Sequence, residues 1–314
     1  MSVGVHAVRS TTAPGFPGFD APLNLAHEEA FLPKVSTVKV LVCVPVYNAF
    51  ESTQRCLAAL TNSRVNCEFR TLIINDASPD ARIAPLLEGH AMSHANVQSR
   101  RNAINRGFTW NVNQAFAAAR ADEHIVLLNS DALVTHGWLD QMLAEVERDA
   151  THQKAIGTVT PFSNNATICS FPDFSHAWPV PEIGERERIA QVLRETPAEP
   201  VDLPTGVGFC MLISAACRLK VGAFDLENFP RGYGEENDFC MRAIAAGFRN
   251  VLCTSAYVAH EGGVSFSDST QALMKLGAER LLVKHPTYDA EVSAWIARDP
   301  AKARRDAIAA ILQR

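Results

Sequence analysis

An α/β fold, with a mostly parallel central sheet flanked by helices, is predicted by three features of the sequence. Short uninterrupted apolar segments such as VKVLVCVPV, RTLIIN and HIVLLN read as strands buried on both faces. The stretches between them place apolar residues at i, i+3, i+4 and i+7, the period of a helix with one buried face. The two kinds of segment alternate along the chain, the order that builds a parallel sheet covered on both sides.

The alternation runs from about Val38 to Pro161. VKVLVCVPV is a strand, Glu51 to Leu60 a helix, and RTLIIN a second strand. Gly107 to Ala119 is a helix with Phe108, Val112, Phe116 and Ala119 on one face; HIVLLN is a strand; Leu139, Met142, Leu143 and Val146 mark a further helix. Phe162 to Thr205 is rich in proline and reads as a long connection carrying one helix, Ile183 to Glu195. The pattern resumes with GFCMLIS as a strand, Asn237 to Ala246 as a helix, NVLCTSAYV as a strand, and a mostly helical tail from about Ser269. The organisation expected is a flexible arm over 1–36, two halves of one domain over 37–160 and 161–266, and the tail over 267–314.

At 314 residues and 47% hydrophobic content the chain can bury a substantial core. Its net charge of -5 provides no basic footprint, which excludes nucleic acid as a partner. The longest uncharged stretch, LPTGVGFCMLISAAC, is interrupted by Pro and Gly and falls short of the ~20 apolar residues that span a bilayer. The first residues lack an apolar core followed by a small-residue cleavage site, so no secretory signal is expected. Eight cysteines at irregular spacings, with no CxxC pair and several inside apolar runs, read as buried free thiols in a reducing cytoplasm.

Three strands of the first half run into polar residues: VPVYN, NDASPD and NSDA. Asp, Asn and Ser are also ordinary turn and cap residues, so each alone is as well explained by the backbone. Their chemistry is nevertheless definite. Asp76 can accept the ring N–H of uracil or thymine, which cytosine does not offer at the same position. Asp131, following a buried strand, can ligate Mg2+ or Mn2+ and leave positions for diphosphate oxygens. Neither GxxxxGK[ST] nor an opening GxGxxG is present, so a metal would have to carry the phosphate charge, which suits a sugar nucleotide better than ATP.

The ordered set VLVCVPVYNAFESTQRCLAAL, LIINDASPD, NRGFTWNVNQAF, IVLLNSDALV, the segment GFCMLISAACRLKVGAFDLENFPRGYGEENDFCMRAIAAGFRNV, and VAHEGGVSF resembles the family 2 glycosyltransferases, which have the GT-A fold. It covers about Val38 to Phe266. The resemblance implies an inverting transfer of a sugar from a UDP- or dTDP-sugar donor to a hydroxyl of a glycan or lipid-linked acceptor, dependent on Mn2+ or Mg2+ and serving cell-surface polysaccharide synthesis. By position it implies that Pro45, Tyr47 and Asp76 line the nucleoside pocket and that Asn105, Arg106 and Asn113 lie near the donor. Asp131 takes the last carboxylate of the DxD motif, with Asn129 in place of the first as a donor contact, and His260 joins the metal shell. Glu236 takes the place of the general base, with Glu235 and Asp238 shaping the acceptor site. The first half then binds the nucleotide sugar and the second the acceptor.

GYGEENDFCMR places these acids at a helix start, where the positive helix end favours ionised Glu236 by about 0.3 to 1 kcal/mol. Acids also stabilise a helix start with no catalysis involved, and Asp238 with Arg242 makes an ordinary i, i+4 pair. Two other readings stand beside the enzyme: a degenerate GT-A domain kept for nucleotide binding or assembly, made thinkable by Asn129, and a sugar-nucleotide nucleotidyltransferase, whose basic glycine-rich loop VPVYNAFEST lacks. The tail has a basic cluster at Lys302, Arg304 and Arg305 that could touch an anionic membrane at the inner face, or pack on its own protein.

Overall fold

The computed structural model describes residues 39–148, 154–262 and 268–313; the arm expected over 1–36 lies outside the described residues. Strands β1 (Lys39–Val46), β2 (Glu68–Asn75), β3 (Val97–Arg101) and β4 (His124–Leu128) run parallel, with β1 between β2 and β4. The reason β1 is apolar throughout is visible in its neighbours. Val40, Val42, Val44 and Val46 face one layer, with α1 (Phe50–Asn62), α2 (Ile83–Ser93), α4 (Trp138–Arg148) and α5 (Ile183–Glu195). Leu41 and Cys43 face the other, with α3 (Phe108–Ala118), α6 (Ala215–Val221) and α7 (Glu235–Ala245). A strand covered on both faces has no position for a polar side chain.

The second half extends the same sheet. β8 (Cys210–Ile213) lies antiparallel between β4 and β6 (Ile156–Phe162), and β9 (Arg249–His260) runs parallel to β6. β5 (Ala132–Val134) and β7 (Val201–Leu203) pair antiparallel with β9. The carboxyl ends of β1, β2, β4, β6 and β9 therefore open on one rim, where β8 begins.

The alternating elements and the helix Ile183 to Glu195 stand as the sequence predicts. β3, β5, β6, β7, α2 and α6 were not foreseen. β3 is a half-exposed edge, VQSRR, with no apolar run, and α2 carries Pro85 and Gly89 across its helical period. Pro85 sits in the first turn of α2, where its missing N–H has no helical partner to lose. All eight cysteines are free and buried.

The tail forms α8 (Asp268–Lys284), α9 (Tyr288–Arg298) and α10 (Lys302–Leu312). Its basic cluster does not present a charged face, which removes the basis for reading it as a membrane contact. Arg304 donates to the Thr254 and Leu193 carbonyls and to the Thr196 hydroxyl. Arg305, 2% exposed, pairs with Asp299 and lies over the Phe174 ring. Only Lys302 of the three stands at the surface, paired with Asp306. Trp295 donates its indole N–H to the Asp202 carbonyl at 2.7 Å, so the tail is stitched to β7 and β9. Among the described residues no helix is long and apolar enough to cross a membrane.

Two outcomes are expected from this packing. Arg304→Ala should lower unfolding free energy by about 1–3 kcal/mol in urea titration, because buried carbonyls lose their donor, whereas Lys302→Ala should stay within about 0.5 kcal/mol. Glu123, buried before β4, is held by Arg70 at 2.7–2.8 Å and by the Arg120 amide, and the Arg70 bond first of all lowers its pKa to about 2. A depressed carboxyl stabilises the fold above its unfolded value and loses that contribution as pH falls. The stability deficit of Glu123→Gln should thus be full above about pH 4.5 and fade toward pH 2.

Candidate functional site

The end of β4 delivers Asn129 and Asp131 to the rim, and the end of β9 delivers His260. The antiparallel pairing of β5 with β9 sets Ala132 opposite His260, so the preceding residue, Asp131, lies beside that histidine. Asp131 Oδ1 is 3.3 Å from His260 Nε2. The Asp131 Oδ2 accepts the Gly262 amide at 3.2 Å, and its carbonyl accepts the Glu261 amide.

The imidazole is oriented from behind. Its Nδ1 lies 2.8 Å from the Asn165 carbonyl, which can only accept, so Nδ1 carries the hydrogen. Asn164 clamps the His260 backbone from both sides, accepting its amide and donating to its carbonyl, and Phe209 stacks on the ring at 5.1 Å between centroids. A neutral ring in this tautomer turns a lone pair toward the Asp131 carboxylate. Two lone pairs at that distance require a cation between or beside them, or a proton on the ring. Burial alone would raise the Asp131 carboxyl and lower the imidazole, but their hydrogen bond and mutual attraction reverse both shifts, leaving Asp131 low and His260 high.

The donor set fits a hard divalent cation. One carboxylate and one neutral imidazole whose other nitrogen donates to a carbonyl form the usual pairing of ligand and outer support. Two adjacent ligands about 2.1 Å from an octahedral ion stand about 3 Å apart, close to the separation seen. Among the described residues there is no cluster of three or more His, Cys, Asp and Glu side chains able to hold a metal, so further coordination positions would fall to a ligand or water.

At the rim, a cleft of about 330 Å³ is lined by Asn129, Phe209, Arg231, Glu235, Glu236 and His260, together with Phe108 and Tyr233, and the Glu236 side chain lies beside Gly208, where a Cβ would come within 3.8 Å of it. A larger cleft of about 490 Å³ opens at the amino ends of β2 and β3 and has none of these side chains. Gly232, Tyr233 and Gly234 all have positive φ, at 98°, 67° and 123°, a turn that aims the first residues of α7 into the cleft. A Cβ at Gly234 would meet the Phe229 ring at 2.9 Å.

Glu235, 4% exposed, and the half-buried Glu236 each keep one buried carboxylate oxygen, Oε2, with no hydrogen-bond partner among the described residues. Burial raises the pKa of both; for Glu235 the neighbouring Glu236 charge adds to it and carries it well above the usual range. Amides at the start of α7 pull the other way, as the sequence reading supposed, yet for Glu236 removal from water outweighs them.

Other predicted residues have different occupations. Asp76, 3% exposed, accepts from Asn102 Nδ2 at 2.7 Å and from the Arg106 and Gly107 amides at 2.7 and 2.8 Å. Those bonds fasten the start of α3, and Oδ2, which accepts only the Gly107 amide, keeps a further acceptor site. Asn113 does not face the rim: its amide clamps both backbone groups of Phe224 at 2.9 and 3.0 Å. Asp238 is fully buried and bound by Arg242, Lys284 and His285 at 2.6–2.8 Å, so it does not shape the cleft. Asn105 accepts from Arg231, Arg106 lies over Trp110, Tyr47 is 51% exposed at the end of β1, and Pro45 lies within β1. None of Pro45, Tyr47, Asp76, Asn105, Arg106 or Asn113 lines the cleft.

The sequence reading missed the supports. Glu261 accepts from Ser52 and from both faces of the Arg55 fork at 2.6–2.8 Å, tying the end of β9 to α1. Asn164 and Asn165 come from the proline-rich connection, where nothing in the local pattern marks them.

A model of the family described as Glycosyl transferase family 2 matches residues 41–213. No curated protein matches the chain's sequence significantly. Among solved structures, the mannosyltransferase PcManGT from Pyrobaculum calidifontis, in complex with GDP-Man and Mn2+, superposes with a TM-score of 0.58 at 16% identity, covering 87% of this chain and 74% of that one. GalNAc-T7 with UDP, GalNAc and Mn2+ gives 0.60 at 15% identity, over 87% of this chain and 54% of that one. TarS 1–349 from S. aureus with UDP-GlcNAc gives 0.52 at 16% identity, over 82% and 71%. At such identities the likeness speaks for the fold, GT-A.

Asn113→Ala should lower unfolding free energy by about 1–3 kcal/mol, since two backbone groups lose their partner. Urea titration checks it, and a change within error would mean the clamp on Phe224 is not formed.

Proposed function

Because the chain belongs to glycosyl transferase family 2, we propose that it is a metal-dependent, inverting glycosyltransferase that uses a UDP- or dTDP-sugar, with Glu236 as general base and Asp131 and His260 as the protein ligands of the metal. The observation that carries this reading is that His260, 3.3 Å from Asp131, and Glu236 line one cleft although they come from different strands and a helix. The neighbours bound to GDP-Man, UDP and UDP-GlcNAc, two of them with Mn2+, are consistent with it. The family's association with surface glycan points to a glycan or lipid-linked acceptor.

The chemistry follows from the placement. A divalent cation, when bound, would neutralise the donor's diphosphate and stabilise the charge it carries away. His260 lines the cleft with Asp131 beside it, and they would hold that cation, with Asn129 offering an amide in the same cleft and Phe209 keeping the imidazole from swinging. In the same cleft Glu236 accepts the acceptor's hydroxyl proton while the oxygen attacks the anomeric carbon from the face away from the diphosphate. The new C–O bond forms, the bond to the diphosphate oxygen breaks with its electron pair, and configuration inverts. Burial raises the pKa of Glu236 and makes it a better proton acceptor than an ordinary surface carboxylate.

Three measurements test this. Thermal shift with UDP, dTDP and a GDP contrast, each with Mn2+, should raise Tm for the matching nucleotide. Glu236→Gln should cut kcat by about 10²- to 10⁴-fold and leave the nucleotide-dependent Tm shift intact, whereas Asp131→Asn should remove the Mn2+-dependent part of that shift. A protein that binds nucleotide but releases no nucleoside diphosphate with any donor and acceptor would be a binding module instead. The base must be ionised, so kcat should fall on its acid side at a pH above the ordinary carboxyl value of 4.5; activity level down to pH 4.5 would remove Glu236 from the role.

A further inference from the structure

The start of α7 is held in an unfavourable state. Three successive residues have left-handed φ, no side chain caps the helix, and two buried carboxylates keep unpaired oxygens. Backbone and charge arrangements of this kind persist only where surrounding structure over-determines them. The support comes from the C-terminal helices, which lie outside the stretch matched by the family model.

We propose that α8 and the residue that follows it are a clamp that positions the Glu235–Glu236 turn over the cleft, with Lys284 and His285 as its positioning residues; the proposal rests on Glu236 as base. Lys284 Nζ bridges Asp238 Oδ1 at 2.6 Å and Asp225 Oδ2 at 2.5 Å, joining the first turn of α7 to the loop before the turn. His285 Nε2 adds a second contact to Asp238 Oδ1 at 2.8 Å. Arg280 donates to the Asn228 carbonyl. α8 lies directly on the strained turn: a Cβ at Gly277 would run into the Tyr233 carbonyl oxygen. Lys284 also sits over the Phe229 ring, which fills the space beneath Gly234.

The next residue along the turn is held separately: Asn237, which follows Glu236, donates its side-chain amide to the Thr205 hydroxyl at 2.8 Å. The turn is thus held one residue past Glu236 through Thr205 and two residues past it through Asp238. Neither contact touches a reacting atom. Each fixes the direction in which the Glu236 carboxylate leaves the backbone, a quantity on which proton transfer depends steeply.

Lys284→Met keeps the stem and removes the charge. Assayed in the full chain well below its own Tm, it should lose at least tenfold in kcat while the donor KM and the nucleotide-dependent Tm shift stay within twofold; Lys284→Arg should recover most of the loss, and Lys302→Met, equally cationic on the same tail, should change nothing. Hydrogen–deuterium exchange provides a readout independent of turnover: amides over residues 235–241 should exchange at least tenfold faster in Lys284→Met, with α3 and α5 unchanged. Unchanged exchange over that stretch, or a kcat equal to wild type, overturns the clamp, and so does a loss of kcat and donor binding in equal measure. Failure of the enzyme reading looks different, because wild type would then turn over no donor, or Glu236→Gln would be as active as wild type, while the exchange result would still decide the clamp.

Discussion

The contact between Asp131 and His260 is the constraint on which the rest of the site depends. It joins the end of a strand in the first half of the chain to the end of the long strand that closes the second half, and the β5–β9 register leaves it no freedom. A carboxylate and an imidazole lone pair, mostly out of water, cannot rest that close without a positive charge to share. The surroundings accept this by supplying support rather than charge: the Asn165 carbonyl fixes the tautomer, Asn164 the backbone and Phe209 the ring plane. Arg55 and Ser52 occupy the next acid, Glu261, and keep it from competing for the same cation.

The start of α7 carries the complementary cost. Two adjacent carboxylates are buried at the start of α7, where the helix amides offset only part of their lost hydration. Without a site to serve, such a pair would be replaced by apolar residues with a gain in stability. Beside the Asp131–His260 pair it gives the rim both a contact that needs a positive charge and carboxylate oxygens without partners, and the displacement proposed above, at a sugar carbon with an anionic leaving group, needs both.

The first-half strands and the helix over 183–195 were legible because burial on two faces or on one leaves a period that local sequence must obey. β3, β5 and β7 left no such mark: two of them have three residues each, and β3 is an edge with one face in water. Side-chain roles were less legible than elements. Asp131 stands at a strand end where local sequence marks a turn, whereas His260 and Glu236 were singled out by the resemblance; the structure brings His260 beside Asp131 and puts His260 and Glu236 in one cleft. The partners of Asn113 and Arg304 left no local mark because each bonds a backbone group distant in sequence, Phe224 for one and Thr254 for the other, and spacing within a helix contains nothing about that partner.

Hydrogen-bond saturation separates the acids that sequence alone could not. Asp76 and Asp238 sit in motifs as suggestive as that of Glu236, yet each accepts three hydrogen bonds from the scaffold. Glu235 and Glu236 retain an unpaired oxygen. Saturation by itself is not enough, since Glu145 is also buried with an unpaired Oε2 and a pKa raised by burial to about 7. Glu145 lies in α4 against Cys253 with Arg148 nearby, and no described cleft reaches it. An unpaired carboxylate therefore indicates chemistry only where a ligand can arrive to pair it, and at the rim of this sheet that condition is met by the first two residues of α7.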